Sequence, residues 1–306
     1  MKIAVTGGTG FLGRYILNQL AGSGHHLRCW HRTNSDRSGL ENIESQLEWQ
    51  EGALGNVEAA KSLVSGVDAV VHVALEWVRG SDGRRGSGDE DLMTFLQTNL
   101  MGSLQLISEA RNAGVGRFVF ISTCAVHEVI LDDRPLDETH PLWPTNHYGA
   151  HKGAIEKFVH SYGLGQGWPI CSLRPTGIYG LAHPPQNSRW FDLVGKVVRG
   201  ESVNSVKGGK EVHAADVAKA VDLLLNVEED LIAGQVFNCY DMYIAEQDVA
   251  QIARDISGSS SEIGDLNRGP KHQIVTDYIR NLGMTFGGDE LLDRTVEQLV
   301  HAHQQG

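Results

Sequence analysis

Lys2-Ile3-Ala4-Val5-Thr6 reads as a short apolar strand, and it runs straight into Gly7-Gly8-Thr9-Gly10-Phe11-Leu12-Gly13. An amphipathic helical pattern from Arg14 to Ala21 follows at once. A strand, a glycine turn and a helix start in direct succession give these glycines a physical job. One lets the chain turn sharply, one lets the backbone approach a pyrophosphate, and the last lets helix and strand pack tightly. The N–H groups of the first helical turn then face the phosphates. Both G-x-G-x-x-G (Gly8, Gly10, Gly13) and G-x-x-G-x-x-G (Gly7, Gly10, Gly13) fit the segment. It predicts a dinucleotide site along Gly7, Gly10, Phe11, Leu12 and Gly13.

Strand and helix patterns alternate from there. His26 to His31 and Leu47 to Gln50 read as strands, and Asn56 to Ser65 as a helix. Asp68 to Ala74 is a continuous apolar run, as a parallel strand buried on both faces requires. A long helical pattern covers Asp91 to Asn112, and Arg117 to Ser122 is a further buried strand. A helix from about His147 to Tyr162 leads to a strand over Pro169 to Arg174. Beyond Pro175 the rhythm loosens, with helices at Asp216 to Val227, Glu246 to Ile256 and Asp289 to His303 and one strand at Gln235 to Cys239. The pattern predicts an α/β protein with a Rossmann-type doubly wound parallel sheet and a smaller mixed C-terminal substrate-binding domain. The expected division is a dinucleotide-binding domain over 1–175, joined by 209–240, interleaved with a substrate region over 176–306. The glycine- and arginine-rich stretch from Arg79 to Gly88 reads as a surface loop after a strand end.

A net charge of −12 argues against nucleic acid and anionic membranes as partners. No apolar run reaches the length of a membrane span. The first strand starts at residue 2, which leaves no room for a signal peptide. The four cysteines are widely spaced and form no C-x-x-C pair, so reduced thiols and a cytoplasmic location are expected. Fourteen histidines are scattered without a carboxylate-backed pair, so no metal site is expected.

Tyr148 and Lys152 stand at i and i+4 on one predicted helix face, and Ser122-Thr123 closes an upstream strand. With these residues the chain resembles the extended short-chain dehydrogenase/reductase family, also called the NAD-dependent epimerase/dehydratase family. The resemblance runs through Thr6 to Gly13, Asp68 to Ala74, Asn99 with Gly102, Phe118 to Val126, Pro141 to Lys152 with Glu156, Arg174-Pro175 with Tyr179-Gly180, and Val212 to Ala218. It implies that Tyr148 is the acid/base, that Lys152 lowers its pKa and holds the nicotinamide ribose, and that Thr123 binds the substrate oxygen. It also implies Val73, Ala74, Asn99 and Pro175 along the cofactor, with a helix-stabilising role equally open for Asn99. His213 and Asp216 match a motif that is structural by default, and packing is the expected role of His72.

NAD-specific members usually carry an acid at the end of the second strand. Here His31 and Arg32 fall at that position and Arg14 directly follows the last fingerprint glycine, so NADP is expected, with NAD the alternative. Family dehydratases place carboxylates after the catalytic threonine, whereas this chain has Cys124-Ala125. The arginine that nucleotide-sugar members carry four residues before the histidine is replaced by Gly209. These departures point to a dehydrogenase or reductase acting on a small sugar-like or other hydroxy/keto compound. The alternative is a nucleotide-sugar epimerase with tightly bound NAD. Cys124, Arg189 and Trp190 are candidate substrate residues, and the segments over 132–146 and 183–191 are expected to line the site or to pack between domains. The resemblance implies a homodimer through the helices over 91–112 and 147–162.

Overall fold

A computed structural model describes residues 1–79, 85–86, 91–205, 207–264 and 269–305. The stretch read as a surface loop from Arg79 to Gly88 lies largely outside the described residues; within it, Val78–Arg79 pairs antiparallel with Arg85–Gly86. The chain divides into two compact units. The first holds Met1–Pro175, Ala218–Cys239 and Ile274–Met284, and the second holds Thr176–Val217, Tyr240–Gln273 and Thr285–Gly306.

The first unit is built on β1 (Lys2–Thr6), β2 (His26–His31), β3 (Leu47–Glu51), β4 (Ala69–His72), β5 (Arg117–Ile121) and β6 (Ile170–Pro175), with a later strand, Val236–Cys239, at the edge. The sheet has seven strands, all parallel, in the order (Val236–Cys239)-β6-β5-β4-β1-β2-β3. The chain winds outward from β1 through β2 and β3, then returns to β4 and winds the other way. That reversal beside β1 is the switch point where open α/β sheets bind ligands. Ile3, Ala4 and Val5, Ala69 to Val71, and Phe118 to Phe120 are fully buried, as their unbroken apolar runs require.

Helix ends follow local chemistry. The helix α1 (Phe11–Gly22) starts at Gly10, and α2 (Val57–Val64) starts at Asn56, whose side chain accepts from Ala59 N–H at 3.0 Å. The expected helix over 91–112 forms, but not as one regular α-helix. Leu92–Leu96 and Gly102–Asn112 are α-helical, and Gln97–Met101 between them is a π-helical turn. We label the whole run α3. The helix α4 (His147–Gln166) is capped by Asn146, which accepts from Gly149 N–H at 2.7 Å, and it ends at Gly167 in the left-handed region.

The second unit has a mixed three-stranded sheet. Gly208–His213 pairs parallel with Gly177–Tyr179 and antiparallel with Met242–Ala245. Helices Phe191–Val198, Glu246–Ser257 and Gly288–Gln304 bury a core that includes Val194, Val197, Val249, Ala253, Val296 and Leu299. These three strands and the first of these helices are not evident in the sequence. The strands have three to six residues and the helix has eight, too short for an apolar period to decide between strand and helix.

Candidate functional site

The turn after β1 uses three glycines in steric roles. Gly7 has φ of +71°, and a Cβ on it would lie 2.9 Å from the Ala74 nitrogen. A Cβ on Gly13 would lie 2.0 Å from the Gly7 carbonyl oxygen, so no larger residue fits there. Gly10 donates its N–H to the Gly7 carbonyl at 3.0 Å and starts α1 with no side-chain cap and no acidic residue in the first turn. A Cβ on Gly8 would first meet the Leu17 side chain, at 3.0 Å. Of the two glycine spacings that fit the sequence, G-x-x-G-x-x-G is therefore the one with backbone consequences. An uncapped helix start above a cradle that a Cβ would fill suits the pyrophosphate of a dinucleotide. Phe11 is half-buried against Tyr15, and Leu12 is buried.

A chain of neutral hydrogen bonds supports this turn from below. The Thr6 hydroxyl oxygen accepts from the N–H groups of Val73 and Ala74, both at 3.1 Å. The Ser103 hydroxyl donates to the Asn99 carbonyl at 2.5 Å, so it accepts from His72 Nε2 at 2.8 Å. His72 Nδ1 is then the acceptor for the Thr6 hydroxyl at 2.7 Å. Burial pulls the His72 pKa down to about 3, which keeps the ring neutral, as this chain of donors demands. Asn99 is buried in the π-helical turn and does not face open space. Its Oδ1 accepts from Glu76 N–H and its Nδ2 donates to the Glu76 carbonyl, both at 2.8 Å. It supports the loop after β4.

At the end of β2 the cations are less open than the sequence suggests. Arg14, expected to face a phosphate, is buried and donates to the carbonyls of Thr9, Asp36 and Ser38. Its guanidinium is committed to the loop over 36–38. Arg32 remains exposed and, among the described residues, its side chain is held by Glu76 alone, also exposed. His31 Nδ1 lies 3.1 Å from the Arg32 carbonyl, and the His31 ring rests edge-on against Trp49.

Thr123, Tyr148 and Lys152 come together beyond the end of β5. Asn146 fixes the first turn of α4, which carries Tyr148, and Lys152 follows one turn later. Lys152 is buried, donates to the Ile121 carbonyl at 2.7 Å and lies 4.5 Å from the centre of the Phe120 ring. Burial pulls its pKa down to about 7, against the opposing pull of Glu156. Burial raises the Tyr148 pKa, and a hydrogen bond with the Thr123 hydroxyl acts the other way. Thr123 also accepts from Ala125 N–H at 3.1 Å, which fixes its rotamer. Trp77, a residue the sequence gives no reason to single out, packs on Tyr148 with ring centroids 5.4 Å apart.

Behind these residues lies a buried ion pair. Arg174 on β6 donates to both carboxylate oxygens of Glu156 on α4, at 2.9 and 2.7 Å. Ser122 donates to one of the same oxygens at 2.6 Å, and His127 Nε2 accepts from Arg174 at 3.0 Å. Burial holds His127 near pKa 3, so it is the neutral acceptor this bond needs. Cys124 donates to the Arg174 carbonyl at 3.0 Å, and burial pushes its thiol up to about 12. The raised pKa keeps it a neutral thiol. Pro175 is buried at the end of β6.

In the second unit, Trp190 is packed in the core against Tyr179, with ring centroids 5.3 Å apart. Arg189 pairs with Glu211 at 2.6 Å, and the Glu211 carboxyl is buried and raised to about 7. His213 donates through Nε2 to Thr295 at 3.1 Å and accepts from Ala215 N–H, while Asp216 accepts from Gly287 N–H. Among the described residues no group of three His, Cys, Asp or Glu side chains could hold a metal, and no helix is long and apolar enough to cross a membrane.

The sequence profile of the NAD dependent epimerase/dehydratase family matches residues 3–239. The chain belongs to this family. It is similar to the 3 beta-hydroxysteroid dehydrogenase/Delta 5-->4-isomerase of Mycobacterium tuberculosis, 28% identical over 200 residues that make up 63% of this chain and 51% of that protein. It thus spans about half the length of that relative. A 4-hydroxy-2-methyl-3-oxo-4-farnesyl-3,4-dihydroquinoline-1-oxide ketoreductase of Stigmatella aurantiaca is 27% identical over 274 residues, 87% of this chain and 76% of that one. Among solved structures, UDP-glucose-4-epimerase from Stenotrophomonas maltophila with bound NAD superposes with a TM-score of 0.79 at 22% identity, covering 100% of this chain and 99% of the other. At that identity the likeness is one of fold.

Proposed function

We propose that this chain is an NAD(P)-dependent oxidoreductase that reduces or oxidises a small sugar-like or other hydroxy/keto compound. The observation that carries the reading is the convergence of Thr123, Tyr148 and Lys152 at the end of β5, beside the sheet's switch point. A bound nicotinamide would supply or accept the hydride. Tyr148 moves the proton at its phenolic oxygen, to a carbonyl or from an alcohol. Lys152, held over Phe120 by the Ile121 carbonyl, would as an ammonium favour the phenolate and hold a ribose hydroxyl of the bound dinucleotide. Thr123, with its rotamer fixed, donates to the substrate oxygen as charge develops there.

The cofactor we propose is NADP(H). No carboxylate ends β2, and among the described residues the Arg32 side chain is tied by one surface ion pair, which a phosphate can displace. Arg14 contributes by holding the loop over 36–38. A small substrate is favoured over a nucleotide sugar because Glu211 already neutralises Arg189 beside Gly209, and because Cys124 stands where a dehydratase needs a carboxylate. The proposal extends to a homodimer through α3 and α4, where Met93, Met101, Phe158 and Leu164 are exposed.

The test starts with protein purified without added cofactor, denatured, and assayed for released dinucleotide. Little should be found, and NADPH should bind the apoprotein more tightly than NADH by about tenfold, equivalent to about 1.4 kcal/mol. Tyr148→Phe should keep cofactor binding and lose at least about 100-fold in turnover, while Lys152→Ala should damage both. Stoichiometric retained NAD with no net redox turnover would overturn the reading in favour of a nucleotide-sugar epimerase. Near-wild-type turnover by Tyr148→Phe would overturn the acid/base assignment.

A further inference from the structure

Among the described residues, the rings packed on Tyr148 are those of Trp77 and His151. The Trp77 indole lies along it, tilted by 30° with ring centroids 5.4 Å apart. His151 meets it at 5.6 Å, and Phe95 in turn packs edge-on against His151 at 5.0 Å. The His151 ring is buried and held near pKa 3, so it carries no charge. Cys124, next to Thr123, is a neutral thiol. The nearby carboxylate, Glu76, is turned to Arg32 and exposed.

Trp77 is also held from behind. The residue before it, Glu76, has both its N–H and its carbonyl bound by Asn99, itself seated in the π-helical turn of α3. Three segments therefore cooperate to place one aromatic slab against the proposed acid/base. An aromatic wall of this kind favours an offset-stacked ring partner, and it gives nothing to an open-chain polyol. Such backing fixes the geometry of the contact before a ligand arrives.

We propose that Trp77 is a specificity-determining residue, a wall that selects carbonyl compounds whose reacting carbon is borne on a flat or alicyclic ring. The proposal rests on the oxidoreductase reading above and names its substrate class. The carbonyl oxygen reaches Tyr148 and Thr123 while the ring face lies along the indole.

The experiment compares wild type, Trp77→Phe and Trp77→Ala with two probes, 2-tetralone as a ring ketone and dihydroxyacetone as an open-chain one, each with NADPH. Trp77→Ala should raise KM for 2-tetralone by about tenfold with little change in kcat, and leave dihydroxyacetone within about twofold. Trp77→Phe should retain most of the ring preference, which separates stacking from a loss of folding. In parallel, calorimetric binding of 2-tetralone to NADPH-loaded Tyr148→Phe should weaken about tenfold when Trp77→Ala is added. Unchanged 2-tetralone binding in that double variant would overturn the proposal, as would an equal loss for both probes or a fall in NADPH affinity alone. If Tyr148→Phe turns over as wild type does, the acid/base reading falls while the binding result on Trp77 stands.

Discussion

At the scale of single residues, the largest electrostatic commitment in the first unit is not among the groups proposed for chemistry. Arg174 and Glu156 are both fully buried and joined by two charge-assisted hydrogen bonds. Taking two charges out of water costs several kcal/mol each, so the pair as a whole adds little net stability. Its removal one side at a time is a different matter. Arg174→Met should leave Glu156 buried and uncompensated, at a cost of about 3–5 kcal/mol, whereas Arg174→Met combined with Glu156→Leu should regain most of it. Urea unfolding of the three proteins measures this. A single variant that loses under about 1 kcal/mol would show that Glu156 simply protonates or finds water. The reason to keep so costly a pair lies in where it sits. Glu156 is one turn beyond Lys152 on α4, and Ser122, which also donates to it, precedes Thr123. The pair fixes α4 against β6, and the Ser122 hydrogen bond ties it to the end of β5.

At the scale of elements, what the sequence shows depends on how each element encodes itself. The strands β1, β4 and β5 are unbroken apolar runs of a kind that only a doubly buried strand tolerates, so they are legible. The steric roles of Gly7 and Gly13 are legible for the same reason, because nothing larger than hydrogen fits at either place. The π-helical turn at Gln97–Met101 is not, since one wider turn inside a long helix leaves the apolar stripe almost unchanged. Trp77 was equally hidden, because its partner Tyr148 is distant in sequence and only the fold brings the rings together. Arg14 misled in the other direction. Its position after the glycines suggested a phosphate ligand, but the carbonyls that claim it belong to a loop whose course no local pattern gives. The π-helical turn has a consequence for the loop after β4. Asn99→Ala should leave the Glu76 N–H and carbonyl unpaired, lower stability by about 1–3 kcal/mol and weaken cofactor binding. Hydrogen exchange at the Glu76 amide should quicken. Unchanged protection there would mean that the loop is held by other contacts.

At the scale of the whole molecule, both units bury imidazoles as neutral hydrogen-bonding groups. His72, His127 and His151 in the first unit are each held near pKa 3, and His213 in the second near 4, all by burial. In the unfolded chain the same groups return to about 6.5. Between those values the unfolded chain binds more protons than the folded one, so stability must fall as pH drops below 6.5. Each such histidine contributes a slope of about 1.4 kcal/mol per pH unit. Glu211 runs the other way. Burial raises it to about 7, so its contribution is lost as pH rises from 4.5, and Glu138 is shifted in the same direction. The histidines outnumber these carboxyls, which sets the sign from pH 5 to 6.5. Lys152 adds a separate window, since its folded pKa of about 7 lies below the ordinary 10.5. Its burial penalty is fully present below pH 7 and is relieved as pH rises above it. The apoprotein should therefore show a thermal midpoint that climbs steeply from pH 5 to 6.5 and more gently above pH 7. Bound dinucleotide should flatten only the upper part, because it gives the Lys152 ammonium a partner and leaves the buried histidines alone. A midpoint that stays level from pH 5 to 6.5 would mean that these imidazoles meet water in the folded state, contrary to the closed chain of donors from Ser103 through His72 to Thr6.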